Sequence, residues 1–473
     1  MIRNYVFRSR KVFFEYKAAV VFSQDTCVPY SSSSRDFHSS STLLKKPNIQ
    51  SMKFFAATLP GIEDLAVHEL QSLGIKKINV PKSLGGVEFS VSSLEEIMKC
   101  HLYLGTVSNL LLRTTNETFH VTHMNDLVKI VANMKVWKEY FRQKKGKVDL
   151  DLLPVFDIRV TSSKSRLYHT KGIAERVERG IIKAVGGNYD DYIEKVKKYE
   201  KTKESDQSKL RIVVRIIRDM AQISIDTSTT PLHKRGYRLE TGKAPLREDL
   251  AWSFLYAQEF HRNRQEIPYD GLIDPTCGSG TILIEGAALA HGLPPNRLKR
   301  PPFKHSQLYN GRLWKKLIKS SRQGKNKPQR DTKFEIIGSD RDAGAIKIAN
   351  ANAKKAGVSE LIEFVHTSVS GNPAFEKENT FDIQRPLLVS NPPYGKRVSR
   401  TSKPGREGIS PLLPLYQTLG MCWKHLTPQA SFGIIAHDVN LARKTGVINL
   451  SPIFTSQHGG LSVTALSTKR KRT

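Results

Sequence analysis

Four cysteines in 473 residues, Cys27, Cys100, Cys277 and Cys422, are too few and too scattered for a disulfide scaffold. None forms a Cys-x-x-Cys pair, so a structural zinc site is not expected either, and a reducing compartment fits best. No stretch approaches the ~20 consecutive apolar residues of a membrane span, which excludes an integral membrane protein of helical type. Acids are scarce as well: 44 Asp and Glu face 75 Lys and Arg, a formal net charge of +31. That imbalance predicts a polyanionic partner, with nucleic acid as the default, and is silent on fold. The remaining composition, 39% hydrophobic and 25% charged, is that of a globular chain. Its length allows roughly two to four domains.

Residues 1–50 stand apart. They carry Arg3, Arg8, Arg10, Lys11, Lys17, Arg35, Lys45 and Lys46 against Glu15, Asp25 and Asp36, with serine runs at 31–34 and 39–41. Such a basic, serine-rich, acid-poor segment reads as an organellar transit peptide, for mitochondrion or chloroplast, rather than a disordered tail. Arg35-Asp36-Phe37-His38-Ser39-Ser40 resembles a mitochondrial cleavage pattern. Residues 52–104 read as a small α+β unit, strand–helix–strand–helix. A second unit, 105–228, holds a strand at 156–160, an amphipathic helix with Ile173, Val177, Ile181 and Val185 inward, and strands at 210–218 and 221–226. Between them, Tyr189–Lys209 reads as exposed and mobile. Residues 229–249 form a linker. From 250 to 473 strands alternate with helices, which predicts an α/β, doubly wound, mostly parallel Rossmann-like sheet, with a late antiparallel strand at 463–466. An insertion at 293–333 includes Arg297, Lys299, Arg300, Lys304, Arg312, Lys315, Lys316, Lys319, Arg322, Lys325, Lys327 and Arg330, with Asp331 its sole acid. So one-sided a stripe favours phosphate contact over a plain solvated loop.

Three strand ends carry the chemistry. Asp274-Pro275-Thr276-Cys277-Gly278-Ser279-Gly280-Thr281 follows a strand and opens a helix. No lysine precedes Thr281, so it is not a P-loop, and it lacks the Gly-x-Gly-x-x-Gly of dinucleotide turns. The shorter Gly-x-Gly suits a ligand without phosphate, such as S-adenosylmethionine, whose carboxylate would meet the helix N-terminus. Asp340 ends the next strand, Ile336-Ile337-Gly338-Ser339-Asp340, where an acid can take both ribose hydroxyls. It can also be a helix N-cap, and both roles can hold. Ser390-Asn391-Pro392-Pro393-Tyr394-Gly395 follows a third strand. Its prolines fix the backbone and leave carbonyls without competing N–H groups. Asn391 Oδ1 and the Pro392 carbonyl can accept from one exocyclic amine, steering its lone pair towards a methyl donor. Tyr394 offers a face for the target base, which a helical target would first have to flip out.

These motifs resemble those of THUMP-domain RNA methyltransferases, in particular the bacterial-type guanine-N2 methyltransferases of large-subunit ribosomal RNA. The resemblance covers about 52–473. It is most specific at Thr230-Pro231-Leu232-His233-Lys234-Arg235-Gly236-Tyr237-Arg238 and Gly242-Lys243-Ala244-Pro245-Leu246-Arg247-Glu248, similar to that family's signature linker. It implies a ferredoxin-like subdomain, a THUMP RNA-binding domain and a methyltransferase domain. It also implies that Asp274, Thr276, Cys277, Gly278, Ser279, Gly280 and Asp340 bind S-adenosylmethionine, and that Asn391, Pro392, Pro393 and Tyr394 hold a guanine. Cys277 enters through backbone geometry rather than thiol chemistry. One departure stands out. Where the family often has an acid that reaches the adenine amine, this chain has Ser368, a weaker acceptor. A second methyltransferase domain carried by some relatives is expected to be absent, as the sequence ends at Thr473.

Lys164 and Arg166, with His169 and Lys171, follow a predicted strand and read equally as phosphate contacts or a solvated turn. Lys234, Arg235 and Arg238 of the signature linker are the stronger RNA candidates. Lys469-Arg470-Lys471-Arg472 reads as a plain basic tail rather than a nuclear signal. The expected function is methylation of guanine N2 in structured RNA, most simply organellar ribosomal RNA, by a monomer using S-adenosylmethionine and no metal. Transfer RNA as substrate, or an RNA-binding ribosome-assembly factor without strong catalysis, is the alternative.

Overall fold

The structure, a computed structural model, describes residues 49–80, 85–201, 209–228, 230–240, 245–260, 268–323, 334–376, 383–394 and 410–468. The segment up to residue 48, expected to be a transit peptide, together with Gly242-Lys243-Ala244, Lys325, Lys327, Arg330, Gly395 and the tail from Lys469, lies outside the described residues.

The N-terminal half is one mixed sheet. Its strands are β1 Lys53–Thr58, β2 Lys77–Asn79, β3 Gly86–Ser90, β4 Val107–Arg113, the short β5 Phe119–His120, β8 Phe156–Ser163, β9 Leu210–Ile217 and β10 Met220–Asp226, and a separate hairpin is formed by β6 Gln143–Lys144 and β7 Lys147–Val148. The order is β2-β3-β1-β4-β10-β9-β8, with β5 beside β10. Period-2 patterning sets the faces: Phe54 and Ala56 on β1, and Leu210, Ile212, Val214 and Ile216 on β9, all point into the core. The β9–β10 hairpin turns at Arg218 and Asp219, both left-handed at φ 50° and 63°, as a tight two-residue turn requires. Helices α1 Glu63–Ser72, α2 Leu94–Tyr103, α3 Met124–Ala132, α4 Val136–Tyr140, α5 Thr170–Ala184 and α6 Tyr189–Lys201 accompany it. The division expected at residue 104 falls inside this sheet, because β4 lies beyond it yet pairs with both β1 and β10. The stretch expected to be exposed and mobile is helical through Lys201. Tyr192 fastens it, its ring stacked on Phe156 and its hydroxyl accepting from the Phe156 N–H.

The C-terminal half follows α7 Glu248–Tyr256. It contains β11 Gly271–Asp274, α8 Thr281–Ala290, α9 Gly311–Gln323, β12 Glu335–Asp340, α10 Ala343–Ala356, β13 Glu363–His366, β14 Pro386–Ser390, α11 Leu413–His425, β15 Ser431–Ala436, α12 Val439–Arg443, β16 Ser451–His458 and β17 Leu461–Ser467. The sheet order is β13-β12-β11-β14-β15-β17-β16; the first five strands are parallel, and β17 pairs antiparallel with both β15 and β16. Strand succession reverses between β11 and β14, the switch point at which open α/β sheets leave a crevice at their carboxyl ends. Strand β16 is an addition to the expected pattern, joined to β17 by Gly459-Gly460, both at positive φ.

The insertion is also more than a basic stripe. Phe303 packs edge-on against His101 and Phe54, and Trp314 and Leu317 of α9 pack on Met98 and Leu102 of α2. A polar seam backs this contact. Buried Glu69 accepts from Gly105 N–H, Thr106 N–H and Oγ1, and Trp252 Nε1, so a carboxylate on α1 is satisfied by groups from both halves.

Candidate functional site

Each of the three motifs ends a strand at the switch point, and hydrogen bonds tie them together. Asp274, 1% exposed at the end of β11, accepts through Oδ1 from Thr276 N–H (3.0 Å) and Oγ1 (3.2 Å). Burial, with Asp340 nearby, pushes its carboxyl up to about 7. Thr276 Oγ1 lies 2.7 Å from Ser390 Oγ at the end of β14, which joins the first motif to the third. Cys277 N–H donates to Ser339 O and Gly278 N–H donates to Asp340 Oδ2 (3.0 Å), which joins the first to the second. Gly278 and Gly280 adopt φ 53° and 79°, and a Cβ on Gly280 would crowd Phe364 and Ala349. Burial between the two acids holds the Cys277 thiol well above its usual range, so it stays protonated. Ser279 O is taken by Asn352 Nδ2.

Asp340 is half-buried, and its Oδ1 accepts from Asp342 N–H. The N-cap role falls to Asp342 rather than Asp340: Asp342 Oδ1 accepts from Gly344 and Ala345 N–H at the start of α10. With one hydrogen bond on each oxygen, Asp340 keeps acceptor capacity on both. Ser368 is exposed in the turn after β13, one residue beyond Thr367, whose N–H donates to Asp340 O. Its Oγ lies 3.4 Å from Ser370 Oγ.

After β14 the chain passes through Asn391 (half-buried), Pro392 (buried) and Pro393 (exposed). The Tyr394 ring does not stand free. It is half-buried, tilted against His437 and edge-on to His458, and its hydroxyl donates to Asn391 Oδ1 at 2.6 Å. Burial keeps that phenol protonated. One lone pair of Asn391 Oδ1 is thus used within the motif and the other remains open.

The expected RNA-contacting residues divide. Lys164, Arg166 and Lys234 are exposed. Arg235 is 1% exposed and cannot reach RNA: it donates to Gly105 O, Leu232 O, Asn296 Oδ1 and Glu285 Oε2. Arg238, 14% exposed, is likewise committed, through Nε to Glu248 and through Nη2 to Leu246 O and Thr281 Oγ1. Both serve as struts from the linker to α8. In the insertion, Lys299 is spent on Thr230 and Pro231 oxygens, and burial with Arg235 nearby pushes its ammonium down to about 7. Arg312, Lys315, Lys316 and Lys319 do face water.

Sequence reasoning missed Asn372. Its Nδ2 donates to Ser339 Oγ and its Oδ1 accepts from Ala374 N–H, bracing β12 beside Asp340. Nothing in its local pattern marks it. Among the described residues no cluster of three or more His, Cys, Asp or Glu could hold a metal ion. No helix among them is long and apolar enough to cross a membrane.

A glycine turn after Asp274, the strand-end Asp340 and an Asn-Pro-Pro turn, at the carboxyl ends of three neighbouring parallel strands, make a Rossmann-like site of methyltransferase type. Comparison with known proteins makes this particular. Residues 235–429 match the RMKL-like methyltransferase domain family, and residues 53–115 match the RlmL ferredoxin-like domain. It is 28% identical over 397 residues to ribosomal RNA large subunit methyltransferase K/L of Psychromonas ingrahamii, covering 84% of this chain and 47% of that protein. The protein of the same name from Vibrio parahaemolyticus is 28% identical over 373 residues, 78% of this chain and 46% of that one. The chain thus spans about half the length of these relatives. In fold it is similar to SMU.472 complexed with SAH (TM-score 0.67, 22% identity, 89% of this chain and 99% of that chain).

Proposed function

We propose that this chain is an S-adenosylmethionine-dependent methyltransferase that acts on guanine N2 in structured RNA, with large-subunit ribosomal RNA as its substrate. The observation that carries the proposal is the hydrogen-bonded convergence of Asp274, Asp340 and the Asn391 turn at one switch point. The naming of relatives as ribosomal RNA large subunit methyltransferases supports the substrate.

S-adenosylmethionine supplies an electrophilic methyl group. The residues fit it: Asp340 has open acceptor sites for ribose hydroxyls, and the N-terminus of α8 favours a carboxylate. Thr276, Cys277, Gly278, Ser279 and Gly280 form the turn that lets backbone approach it, and Ser368 lies at the adenine end. Asn391 Oδ1 and the Pro392 carbonyl accept from the guanine amine and orient its lone pair; no base is needed before attack. Tyr394, through its hydroxyl, holds the Asn391 amide in the accepting orientation. Residues 105–228 serve as a THUMP-type RNA-binding region, and residues 1–50 direct a monomeric enzyme to a mitochondrion or chloroplast.

Asn391→Ala should leave RNA affinity unchanged and lower turnover by roughly 100- to 1,000-fold. Unaltered turnover in that variant would contradict the mechanism. One feature, Ser368 in place of an acid, favours a second reading as an RNA-binding assembly factor. Calorimetric titration separates the two: heat of S-adenosylmethionine binding supports the enzyme, and no heat at millimolar ligand with RNA binding intact supports the factor.

A further inference from the structure

Tyr168 is among the most exposed large side chains of the described residues, at 68%. Its exposure does not come from a loose loop. Leu167 beside it is buried at 4% and its carbonyl accepts from Ser162 Oγ. Arg166 N–H donates to Asp219 Oδ1 at 2.7 Å, and Asp219 N–H donates back to Ser165 Oγ at 3.1 Å. Arg218 N–H donates to Ser163 O, so the β9–β10 turn clamps the β8–α5 loop from the side. The result is a fastened loop that lifts one aromatic ring into water, with the His169 ring against it at 4.3 Å between centroids.

Basic residues outnumber acids in this loop and the turn beside it. Lys164, Arg166 and Lys171, close to Tyr168 in sequence, and Arg218, in the adjoining β9–β10 turn, are exposed. Asp219, in the adjoining β9–β10 turn, accepts from the Arg166 N–H, and the first turn of α5 holds no acid and has no side-chain cap. An open aromatic face ringed by cations is the chemistry of single-strand recognition: a base stacks on the ring and its flanking phosphates meet the cations.

The geometry points to Tyr168 as a stacking platform for an unpaired RNA base, with Lys164, Arg166 and Lys171 on the adjoining phosphates. This rests on the reading of RNA as substrate, and places a contact in the N-terminal half, apart from the Asn391 turn. It identifies Tyr168 as a contact residue that charge alone does not reveal.

The test is binding of a short unpaired RNA oligonucleotide to the full chain, followed by fluorescence anisotropy across a salt series without S-adenosylmethionine. A chain that fails to methylate can therefore still pass. Tyr168→Ala, a surface change that folding tolerates, should weaken binding by between about 5- and 150-fold with an unchanged salt slope. Tyr168→Trp should restore it. Lys164→Ala and Arg166→Ala should each flatten the slope by ~0.7. Wild-type affinity in Tyr168→Ala would overturn the proposal and leave the face to a protein partner. An equal loss on an oligonucleotide stripped of its bases would overturn it too.

Discussion

Arg235 and Arg166 carry the same charge and opposite meanings. Arg235, in the signature linker, is sealed among Gly105 O, Leu232 O, Asn296 and Glu285. Arg166, in the β8–α5 loop, hangs in water and is tied down only by its backbone. The linker arginine belongs to the joint between the N-terminal and C-terminal halves; the loop arginine belongs to a surface. A net charge of +31 makes a polyanion the expected partner, and does not say which cations would meet it. Part of the excess, including Arg235, Arg238 and Lys299, is internal.

Breaking the joint should give the largest effect. Arg235→Ala leaves Glu285 buried without its guanidinium and should cost about 3–5 kcal/mol in urea unfolding. The comparison fails if Arg235→Ala keeps full stability and loses RNA affinity instead. Next comes the buried acid at the site. Asp274 has its carboxyl raised to about 7, so its neutral form is favoured in the fold. Its contribution is fully present below the ordinary aspartate value near 3.9 and is lost as pH rises through about 7. Asp274→Asn, which keeps a neutral acceptor for Thr276, should be stabilised relative to the parent chain at pH 8, on the order of a few kcal/mol, and much less at pH 4. Thermal unfolding across that range checks the sign. The smallest effect on stability belongs to the exposed set: Lys164→Ala, Arg166→Ala and Lys234→Ala should each stay within about 0.5 kcal/mol of the parent, with reduced dependence of RNA binding on salt.

The strand ends were legible in the sequence because each is a short apolar run that stops at polar residues and alternates with helical segments, the pattern of a parallel α/β sheet. Asp274, Asp340 and Asn391 could be placed at a common edge from that alone, and the structure joins them through Thr276 and Gly278. The roles of Arg235 and Arg238 were not legible. A sequence shows a charge and not its partner, and Arg235 finds one partner 50 residues ahead and another 130 residues behind. The N-cap shifted from Asp340 to Asp342 because the strand runs on to Asp340, leaving the later acid at the first helical turn. The helix within the basic insertion was missed because its cations obscured Trp314 and Leu317, the residues that dock it.

The central claim is that the Asn-Pro-Pro turn presents a guanine amine to a methyl donor. Incubating the chain with large-subunit ribosomal RNA and methyl-labelled S-adenosylmethionine, then digesting the RNA to nucleosides, tests it most directly. Label in N2-methylguanosine is the predicted result; label in N6-methyladenosine would contradict the account.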